Sequence, residues 1–405
     1  MNVRSATPTL AALLVVGCFW TLASAPTPPI QKLRAREIGV PFDGLPGPLN
    51  AITDVAGVEI GHITLISGEG PLIVGKGPVR TGVTAILPRG KDSVDIPVFA
   101  GWFSQNGNGE MTGTAWLEES GFLEGPVMIT NTHSVGVVRD AVIRWRVARG
   151  RPDPSGYWWS LPVVAETWDG WLNDINGFHV KAEHAFRALE TAAGGRVAEG
   201  NVGGGTGMIC YGFKGGIGTS SRAVRLGDAN YTVGVLLQAN FGGRSQLTVA
   251  GVPVGREITE APAHSRLPGA SSEQGSVIVV VGTDAPLLPH QLERLARRVT
   301  MGLARTGSVS GNGSGDLFIA FSTANAGAFR PDGLAQAQML GNDQLDPIFT
   351  AVVQATEESV INALVAAETM TGQSGHRAVA LPHDRLREVL RKYNRLALPG
   401  QGDAR

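Results

Sequence analysis

The residues with the clearest capacity for chemistry in this 405-residue sequence are Gly275 and Ser276. They stand at the start of the β-branched run 277–281, which has the uninterrupted apolar composition of a strand buried on both faces. The segment 261–274 before them is rich in proline, serine and glycine and is predicted to be a loop. A serine hydroxyl placed where a loop enters a buried strand can attack the preceding carbonyl, and Gly275 has no Cβ to obstruct the attack. The pair is therefore a candidate site of self-cleavage.

Cleavage there would leave Ser276 with a hydroxyl and a free α-amine on one residue. An α-amine has an unperturbed pKa of about 7.7–8.0, so it is able to serve as the general base for that hydroxyl. The residue types alone also fit a plainer interpretation, in which Ser276 is simply a serine that opens a strand.

A second polar group follows in the glycine-spaced stretch 305–316, which leads into the apolar strand 317–321. Ser314 and Asp316 are two residues apart, so they share a face of an extended chain. The alternating glycines allow the backbone to approach its neighbours closely. Serines in glycine-rich stretches often serve only turn formation, which is the alternative to a catalytic role.

Three further runs carry a resemblance to a known family: Thr-Asp-Ala-Pro-Leu-Leu-Pro-His-Gln-Leu at 283–292, Gly-Ser-Gly-Asp at 313–316 and Phe-Ser-Thr-Ala-Asn at 321–325. The sequence resembles the β-peptidyl aminopeptidases, self-processing serine hydrolases of the DmpA/BapA type. The similarity extends over about residues 36–371, which is nearly the whole chain after its N-terminal segment. Motifs spread over that distance are specific to the family.

The resemblance implies roles for four residues in catalysis. Ser276 is the nucleophile and the new N-terminus, while Ser314 and Asp316 orient it and tune its α-amine. Some relatives carry glutamate where this chain has Asp316, which changes the reach of the carboxylate. Asn240 follows the predicted strand 231–239, and by resemblance its side-chain amide donates to the oxyanion of the tetrahedral intermediate. Without the resemblance, an asparagine at the end of a strand is more often a turn residue.

The resemblance also implies an α+β fold, the four-layer αββα sandwich of the DmpA/ornithine-acetyltransferase type. Residues 26–275 and 276–405 would then be the α and β portions of one hydrolase domain. The processed αβ units would assemble into a homo-oligomer of four units. No cofactor is expected.

Tryptophan is concentrated in the segment 151–179, where four indoles surround Glu166 in the sequence: Trp158, Trp159, Trp168 and Trp171. Core or subunit packing is the usual role of such residues. A carboxylate among aromatic rings also suits recognition of a substrate ammonium by charge and cation–π contact. By resemblance Glu166 lies at the edge of the substrate pocket beside Trp168. Certain relatives have tyrosine at the position of Trp168, so a role that needs a phenol hydroxyl is in doubt here.

The N-terminal residues 1–25 have the pattern of a signal peptide. Arg4 precedes an apolar stretch that is shorter than the roughly 18 residues of a membrane span, and Ala23-Ser24-Ala25 resembles a signal peptidase site. We therefore expect a periplasmic or secreted protein. The run 15–18 also resembles a lipoprotein box, which would leave a lipid anchor on Cys18. The remaining cysteine, Cys210, has no partner for an internal disulfide and is expected to be a small buried side chain.

Composition and motif spacing argue against several other classes of function. Charged residues make up 17% of the chain and the net charge is −1, so no basic surface for nucleic acid is indicated. The glycine-rich run 199–207 lacks the Gly-Lys-Ser/Thr of a phosphate loop, so close approach of its backbone to a substrate or to the nucleophile strand explains it better. The 8 histidines show no spacing typical of zinc ligands. A triad of Ser276 with His290 remains an alternative, although His290 stands at a predicted helix start.

The periodicity around these motifs predicts the elements that hold them. Helices are expected at about 137–149 with a polar cap at 131–134, at 181–193, at 346–370 and at 386–396. Strands are expected at 83–87 and 96–100, and a turn at 105–110 that lines the site or merely closes a hairpin.

Three classes of function remain from the sequence. The leading one is a hydrolase that releases small α- or β-amino acids from the N-termini of short peptides, amides and esters through an acyl-enzyme on Ser276. The second is an acyltransferase of the ornithine acetyltransferase type, whose threonine nucleophile this chain lacks. The third is a non-catalytic binding protein, which would persist as one uncut chain.

Overall fold

The computed structural model of the chain describes residues 32–149, 159–259, 274–330 and 332–397. The expected signal peptide at 1–25, Trp158 and the expected loop up to residue 273 lie outside these ranges. In chain order the strands are β1 (Glu59–Ser67), β2 (Val79–Leu87), β3 (Val98–Gly107), β4 (Phe122–Leu123), β5 (Val127–Asn131), β6 (Val163–Thr167), β7 (Ile209–Cys210), β8 (Phe213–Lys214), β9 (Gly216–Leu226), β10 (Ala229–Asn240), β11 (Gln274–Thr283), β12 (Gly313–Ser322), β13 (Met370–Thr371) and β14 (Arg377–Ala378).

The helices expected at 137–149, 181–193, 346–370 and 386–396 are present, with ends that differ by up to about four residues, whereas the helices Thr114–Ser120 and Val254–Glu257 were not expected. Pro289 and Pro347 stand in the first turn of two helices, where proline is tolerated. The expected helix at 346–370 ends earlier, at Ala366. The helices are α1 (Thr114–Ser120), α2 (Val135–Arg149), α3 (Ala182–Glu190), α4 (Val254–Glu257), α5 (Pro289–Arg305), α6 (Asp346–Ala366) and α7 (His383–Lys392).

Two mixed sheets form the centre of the fold. The first has four strands in the order β1-β2-β5-β6, and the second has six in the order β4-β3-β12-β11-β10-β9. Within the second sheet β11 runs parallel to β12 and antiparallel to β10. The strand pairs β7–β8 and β13–β14 are short and form two further two-stranded sheets.

The sheets and helices stack in four layers. Apolar side chains of the first sheet pack on one side against α2 and α3, as Met128 does with Val142 and Leu189. The other sides of the two sheets face each other through residues such as Ile129 and Ile278. The outer face of the second sheet packs against α5, α6 and α7. The αββα sandwich expected from the sequence is confirmed.

Strand β11 has the double burial that its β-branched run predicts. Val277, Val279 and Val281 belong to the core shared with the helices, whereas Ile278 and Val280 belong to the core between the sheets. Successive side chains of a strand point to opposite faces, so a strand in the middle of a sandwich needs apolar residues at every position.

The predicted turn at 105–110 begins later than expected. Strand β3 continues through Gly107, because its last residues still pair with β12 at Asn106↔Asp316 and Gly107↔Gly315. The register shifts by one residue between Asp316 and Leu317, which marks a β-bulge in this pair. The irregularity lies beside the polar residues of the candidate site.

The glycine-rich run 199–207 contributes a 3₁₀ segment, Gly203–Gly207, that is fully buried. Its backbone is bound to the first sheet, since the Gly203 amide donates to Thr64 Oγ1 at 2.9 Å and the Gly204 amide to Thr84 Oγ1 at 3.1 Å. The close backbone approach expected of these glycines is therefore observed, but against β1 and β2 rather than against β11.

Helix α6 is long and apolar enough to cross a membrane, but 78% of its most apolar window is buried inside the protein. It packs against β9, β10 and α5 as a core helix.

His62, a partly buried residue of β1, predicts that the stability of the fold depends on pH. Thr84 Oγ1 lies 3.0 Å from His62 Nδ1, and burial lowers the pKa of His62 to about 4. Between pH 6.5 and about 4 the unfolded chain binds a proton that the folded chain does not, so stability falls as the pH falls through this window. We expect His62 to remove about 3 kcal/mol of the unfolding free energy over that range.

Urea denaturation of the wild type and of His62→Gln at about pH 7 and about pH 4.5 measures this contribution. The loss of stability on acidification should be smaller in the variant. An equal loss in both proteins would show that other groups carry the acid dependence.

Candidate active site

Ser276 lies near the start of β11 at the edge of the space between the two sheets, and its side chain is 3% exposed. Its position in the strand gives its hydroxyl the same face as Ile278 and Val280. Gly275 lies directly against β10, since a Cβ there would come within 2.5 Å of the Asn240 carbonyl oxygen. No other residue type fits at position 275 without a shift of the backbone.

Ser314 and Asp316 begin the neighbouring parallel strand β12. Gly275 pairs with Ser314, Ser276 with Gly315 and Val277 with Asp316. Paired residues of adjacent strands share a face, so Ser314 and Asp316 lie on the side of Gly275 and Val277, opposite to the Ser276 hydroxyl. The hydroxyl of Ser314 donates to Asp316 Oδ1 at 2.6 Å, and both side chains are buried. This pair therefore flanks the backbone at Gly275–Ser276, where cleavage would place the new α-amine.

Asn240 ends β10 directly opposite Ser276 in the antiparallel register. Its Oδ1 accepts a hydrogen bond from the amide of Ile209 at 2.9 Å, and its Nδ2 donates to the carbonyl of Trp168 at 2.9 Å. Both ends of the side-chain amide are thus fixed. Because a side-chain amide nitrogen carries two hydrogens, the bond to Trp168 uses one of the two on Nδ2.

Glu166 comes from the other sheet, in β6, and is 3% exposed. Its Oε1 accepts from the amide of Glu110 at 3.1 Å, and its Oε2 accepts from the hydroxyl of Thr132. Burial raises the pKa of Glu166, while the hydrogen bonds from Thr132 and Glu110 oppose that rise. The result is a fixed, largely desolvated carboxyl group.

Gly109 lies between the Glu166 carboxylate and strand β12. A Cβ at Gly109 would lie 3.3 Å from Glu166 Oε1 and 3.2 Å from the Cα of Gly315. Because Gly315 pairs with Ser276, only the width of this glycine separates Glu166 from the strand beside the nucleophile. The structure therefore brings Ser276, Asn240 and Glu166 to one end of the two sheets.

The tryptophans near Glu166 in the sequence have different surroundings. Trp168 is 44% exposed, Trp159 is 59% exposed and packs edge-on against Trp116, and Trp171 stacks on His376. Of these, Trp168 stays closest to the site, because its carbonyl accepts from Asn240.

Sequence reasoning missed several residues that support the site. Thr132 was assigned to a helix cap, and its hydroxyl instead donates to Glu166. Asp169, directly after Trp168, is buried, and desolvation raises its pKa to about 7 against hydrogen bonds that include Asn173 Nδ2 at 3.0 Å. Lys214 is a fully buried lysine in the same region. A polar residue in an otherwise apolar buried segment is the signal that marks Lys214 in the sequence.

His290 is not placed to act on Ser276. It lies in the first turn of α5, beyond the far end of β11, whereas Ser276 is near the beginning of that strand. The seven residue steps from Ser276 to Thr283 span about 23 Å at 3.3 Å per residue. Within the described ranges, no group of three or more histidine, cysteine, aspartate or glutamate residues is arranged to hold a metal ion.

Comparison with known proteins places the chain in a family. Residues 50–378 match the family described as Peptidase family S58. A β-peptidyl aminopeptidase BapA of Sphingosinicella microcystinivorans is 57% identical, over 96% of this chain and 97% of its own length. A β-peptidyl aminopeptidase BapA of Sphingosinicella xenopeptidilytica is 48% identical, over 95% of this chain and 96% of its own length.

A solved structure supports the same assignment. The L-aminopeptidase D-Ala-esterase/amidase of Ochrobactrum anthropi, described as a prototype for the serine aminopeptidases and a variant of the Ntn-hydrolase fold, superposes with a TM-score of 0.82. It is 49% identical, and the match covers 90% of this chain and 99% of that one. The chain described here therefore belongs to peptidase family S58 and is an aminopeptidase.

Proposed function

We propose that this aminopeptidase cuts its own chain between Gly275 and Ser276, and that the exposed Ser276 then removes small N-terminal residues from short peptides, amides and esters. The observation that carries the proposal is the start of β11, where a residue that must be glycine precedes a buried serine opposite Asn240. β-Amino acids are the proposed first residues, because two relatives that match nearly the whole chain are named β-peptidyl aminopeptidases.

Self-cleavage starts with attack of Ser276 Oγ on the Gly275 carbonyl. The C–N bond breaks, the nitrogen of Ser276 takes up the hydroxyl proton, and Gly275 becomes an ester on Oγ. Water then hydrolyses the ester, which leaves a carboxylate on Gly275 and a free α-amine on Ser276. Ser314 and Asp316 flank this backbone and hold the new amine in place.

Substrate turnover uses the same atoms in a second reaction. The α-amine accepts the proton of Ser276 Oγ as that oxygen attacks the substrate carbonyl. Asn240 Nδ2 donates to the negative oxygen of the tetrahedral intermediate. The proton passes to the departing amine, and water hydrolyses the acyl-enzyme on Ser276.

Denaturing electrophoresis with N-terminal sequencing tests the self-cleavage. The purified protein should give two fragments, and the smaller should begin at Ser276. Active protein that remains a single chain would overturn the proposed mechanism.

Glu166 is proposed to bind the ammonium group of the substrate's first residue. We expect Glu166→Gln to raise KM about 10- to 100-fold for alanyl and β-alanyl amides and to lower kcat less, since a charge-assisted hydrogen bond is worth about 1.5–3 kcal/mol. Burial raises the pKa of Glu166, so wild-type kcat/KM should also fall on acidification through that raised pKa, as the carboxylate becomes neutral.

N-acetylated substrates provide the control for this contact. The wild type should turn them over very slowly, and Glu166→Gln should not change that rate. Trp168→Tyr serves as a second control, because it should alter the preference among first residues without preventing self-cleavage. Equal rates on free and acetylated alanyl amides would move the assignment towards a general amidase.

The protein is proposed to be exported to the periplasm and to assemble as four processed αβ units. An apolar segment followed by Ala23-Ser24-Ala25 supports export, and N-terminal sequencing of the larger fragment should find Pro26 first. A lipid-modified Cys18 at that terminus would indicate membrane anchoring instead. Sizing chromatography at the mass of one αβ unit would contradict the assembly.

A further inference from the structure

Lys214 is a charged residue in a place where an apolar side chain would be expected. It ends β8 and its side chain is fully buried. Its Nζ donates to three backbone carbonyls, those of Met208 at 2.8 Å, Gly215 at 2.9 Å and Gly205 at 3.3 Å. Three acceptors match the three hydrogens of an ammonium group, whereas a neutral amine has only two to donate. These carbonyls therefore stabilise the charged, ammonium form of Lys214.

A buried charge is costly, since its removal from water is unfavourable by several kcal/mol before any compensation. An apolar side chain of comparable volume would avoid that cost, but it would remove the ammonium's hydrogen bonds from these carbonyls. The nearest acceptor, the Met208 carbonyl, indicates where the charge acts.

The carbonyl of Met208 and the amide of Ile209 are the two ends of one peptide group. Lys214 Nζ binds the oxygen of this group at 2.8 Å, and its N–H donates to Asn240 Oδ1 at 2.9 Å. The Asn240 side chain is in turn a single amide group, with Nδ2 at the other end beside Ser276. Lys214 and the reaction centre are thus connected by two amide groups in series.

Each amide in such a series is polarised by the hydrogen bond at its oxygen. A cation on the Met208 oxygen draws electrons away from the Ile209 N–H and makes it a stronger donor, and the same effect then acts on Nδ2 of Asn240. Cooperative strengthening of this kind amounts to about 10–30% per hydrogen bond. The effect is largest when Nδ2 meets a full negative charge, which happens only in the transition state.

We propose that Lys214 is a positioning residue that strengthens Asn240 as an oxyanion donor through the Met208–Ile209 peptide. The proposal rests on the oxyanion role proposed above for Asn240. It predicts that loss of the charge slows the chemical step and leaves substrate binding almost unchanged.

The test uses two neutral substitutions and a double-mutant cycle. Lys214→Gln keeps hydrogen-bond donors without the charge, and Lys214→Met replaces the side chain by an apolar one of similar length. Rates are normalised to the fraction of protein processed at Ser276, since the same oxyanion forms during self-cleavage. We expect either variant to lower kcat several-fold, up to about eightfold, with KM within about twofold of wild type, because 30% of a 10²- to 10³-fold effect on the free-energy scale is about four- to eightfold.

The cycle separates this relay from a general effect on structure. In an Asn240→Ala background the Lys214 substitutions should lower kcat by less than about twofold, because the donor they act on is gone. Arg80→Gln is the matched control: Arg80 is also a buried cation held by backbone carbonyls, those of Ser67, Gly68, Val79 and Thr371. The Arg80→Gln protein should be less stable than the wild type and keep the wild-type kcat.

The outcomes distinguish the relay from the function on which it rests. If Asn240→Ala keeps the wild-type kcat, the oxyanion assignment and the relay both fail. If Asn240→Ala loses activity but the Lys214 substitutions lower kcat by the same factor with and without Asn240, the relay alone is overturned. Failure of both neutral Lys214 variants to fold, alongside a folded Arg80→Gln, would also overturn it and assign the lysine to stability.

Discussion

The Ser276→Ala protein is expected to remain a single uncut chain and to lose activity by about a millionfold, the loss found when a serine hydrolase is deprived of its nucleophile. Both effects have one cause in the proposed mechanism, in which the same oxygen attacks the Gly275 carbonyl and later the substrate carbonyl. The side chain is 3% exposed and alanine fits the same space, so the fold should be retained. Electrophoresis and an assay with β-alanyl amides measure the two effects.

Ser322→Ala is the matched control for that substitution. Ser322 is also a buried serine in the second sheet, at the opposite end of the strand β12, where its hydroxyl donates to the Ala285 carbonyl at 2.6 Å. This variant should be cut normally and should keep its kcat. A Ser276→Ala protein that is still processed would show that another residue makes the cut.

Asn240→Ala should lower kcat by about 10²- to 10³-fold, the usual cost of an oxyanion donor, with a smaller change in KM. It should also slow self-cleavage, because attack on Gly275 passes through an oxyanion that forms opposite the same side chain. Time courses of processing and steady-state kinetics of the fully processed fraction measure the two steps separately.

Asn362→Ala controls for the loss of a buried asparagine. Asn362 has the same bonding pattern as Asn240, since its Oδ1 accepts from the Ala35 amide and its Nδ2 donates to the Thr219 carbonyl, but it lies in α6. Its replacement should lower the melting temperature and leave kcat unchanged. Similar losses of kcat in both variants would assign the effect of Asn240→Ala to stability.

The elements around the nucleophile could be predicted from the sequence because their signals are local. A continuous β-branched run identified β11, apolar spacing with proline at the start identified α6, and the prolines before His290 indicated where α5 begins. The residue types at Gly275 and Ser276 suggested the chemistry, and the resemblance to the aminopeptidases supplied the roles of Asn240 and Asp316.

Local sequence patterns could not predict the contacts between residues that are distant in the chain. Thr132 precedes an apolar helical period and therefore looked like a cap, although its hydroxyl binds a carboxylate 34 residues away. Lys214 stands out in the sequence only as a polar residue in an apolar segment, because two of its three acceptors, the carbonyls of Gly205 and Met208, are brought to it by folding. The turn expected at 105–107 is a strand because a partner distant in sequence pairs with it.

The strand order of the six-stranded sheet determines when the chain can be cut and how the cut protein can refold. Strand β12 and all of β11 except its first two residues, Gln274 and Gly275, follow the cut in the chain. They are inserted as a pair between β3 and β10, which precede it. A cut at Gly275–Ser276 would therefore yield two polypeptides that share one sheet, and neither could leave without breaking hydrogen bonds on both sides of the inserted pair. The geometry that makes the cut exists only once this insertion is complete, so folding must come first. Refolding of the mature enzyme after denaturation would be a bimolecular reaction with a rate that depends on protein concentration, whereas the uncut chain folds in a unimolecular one.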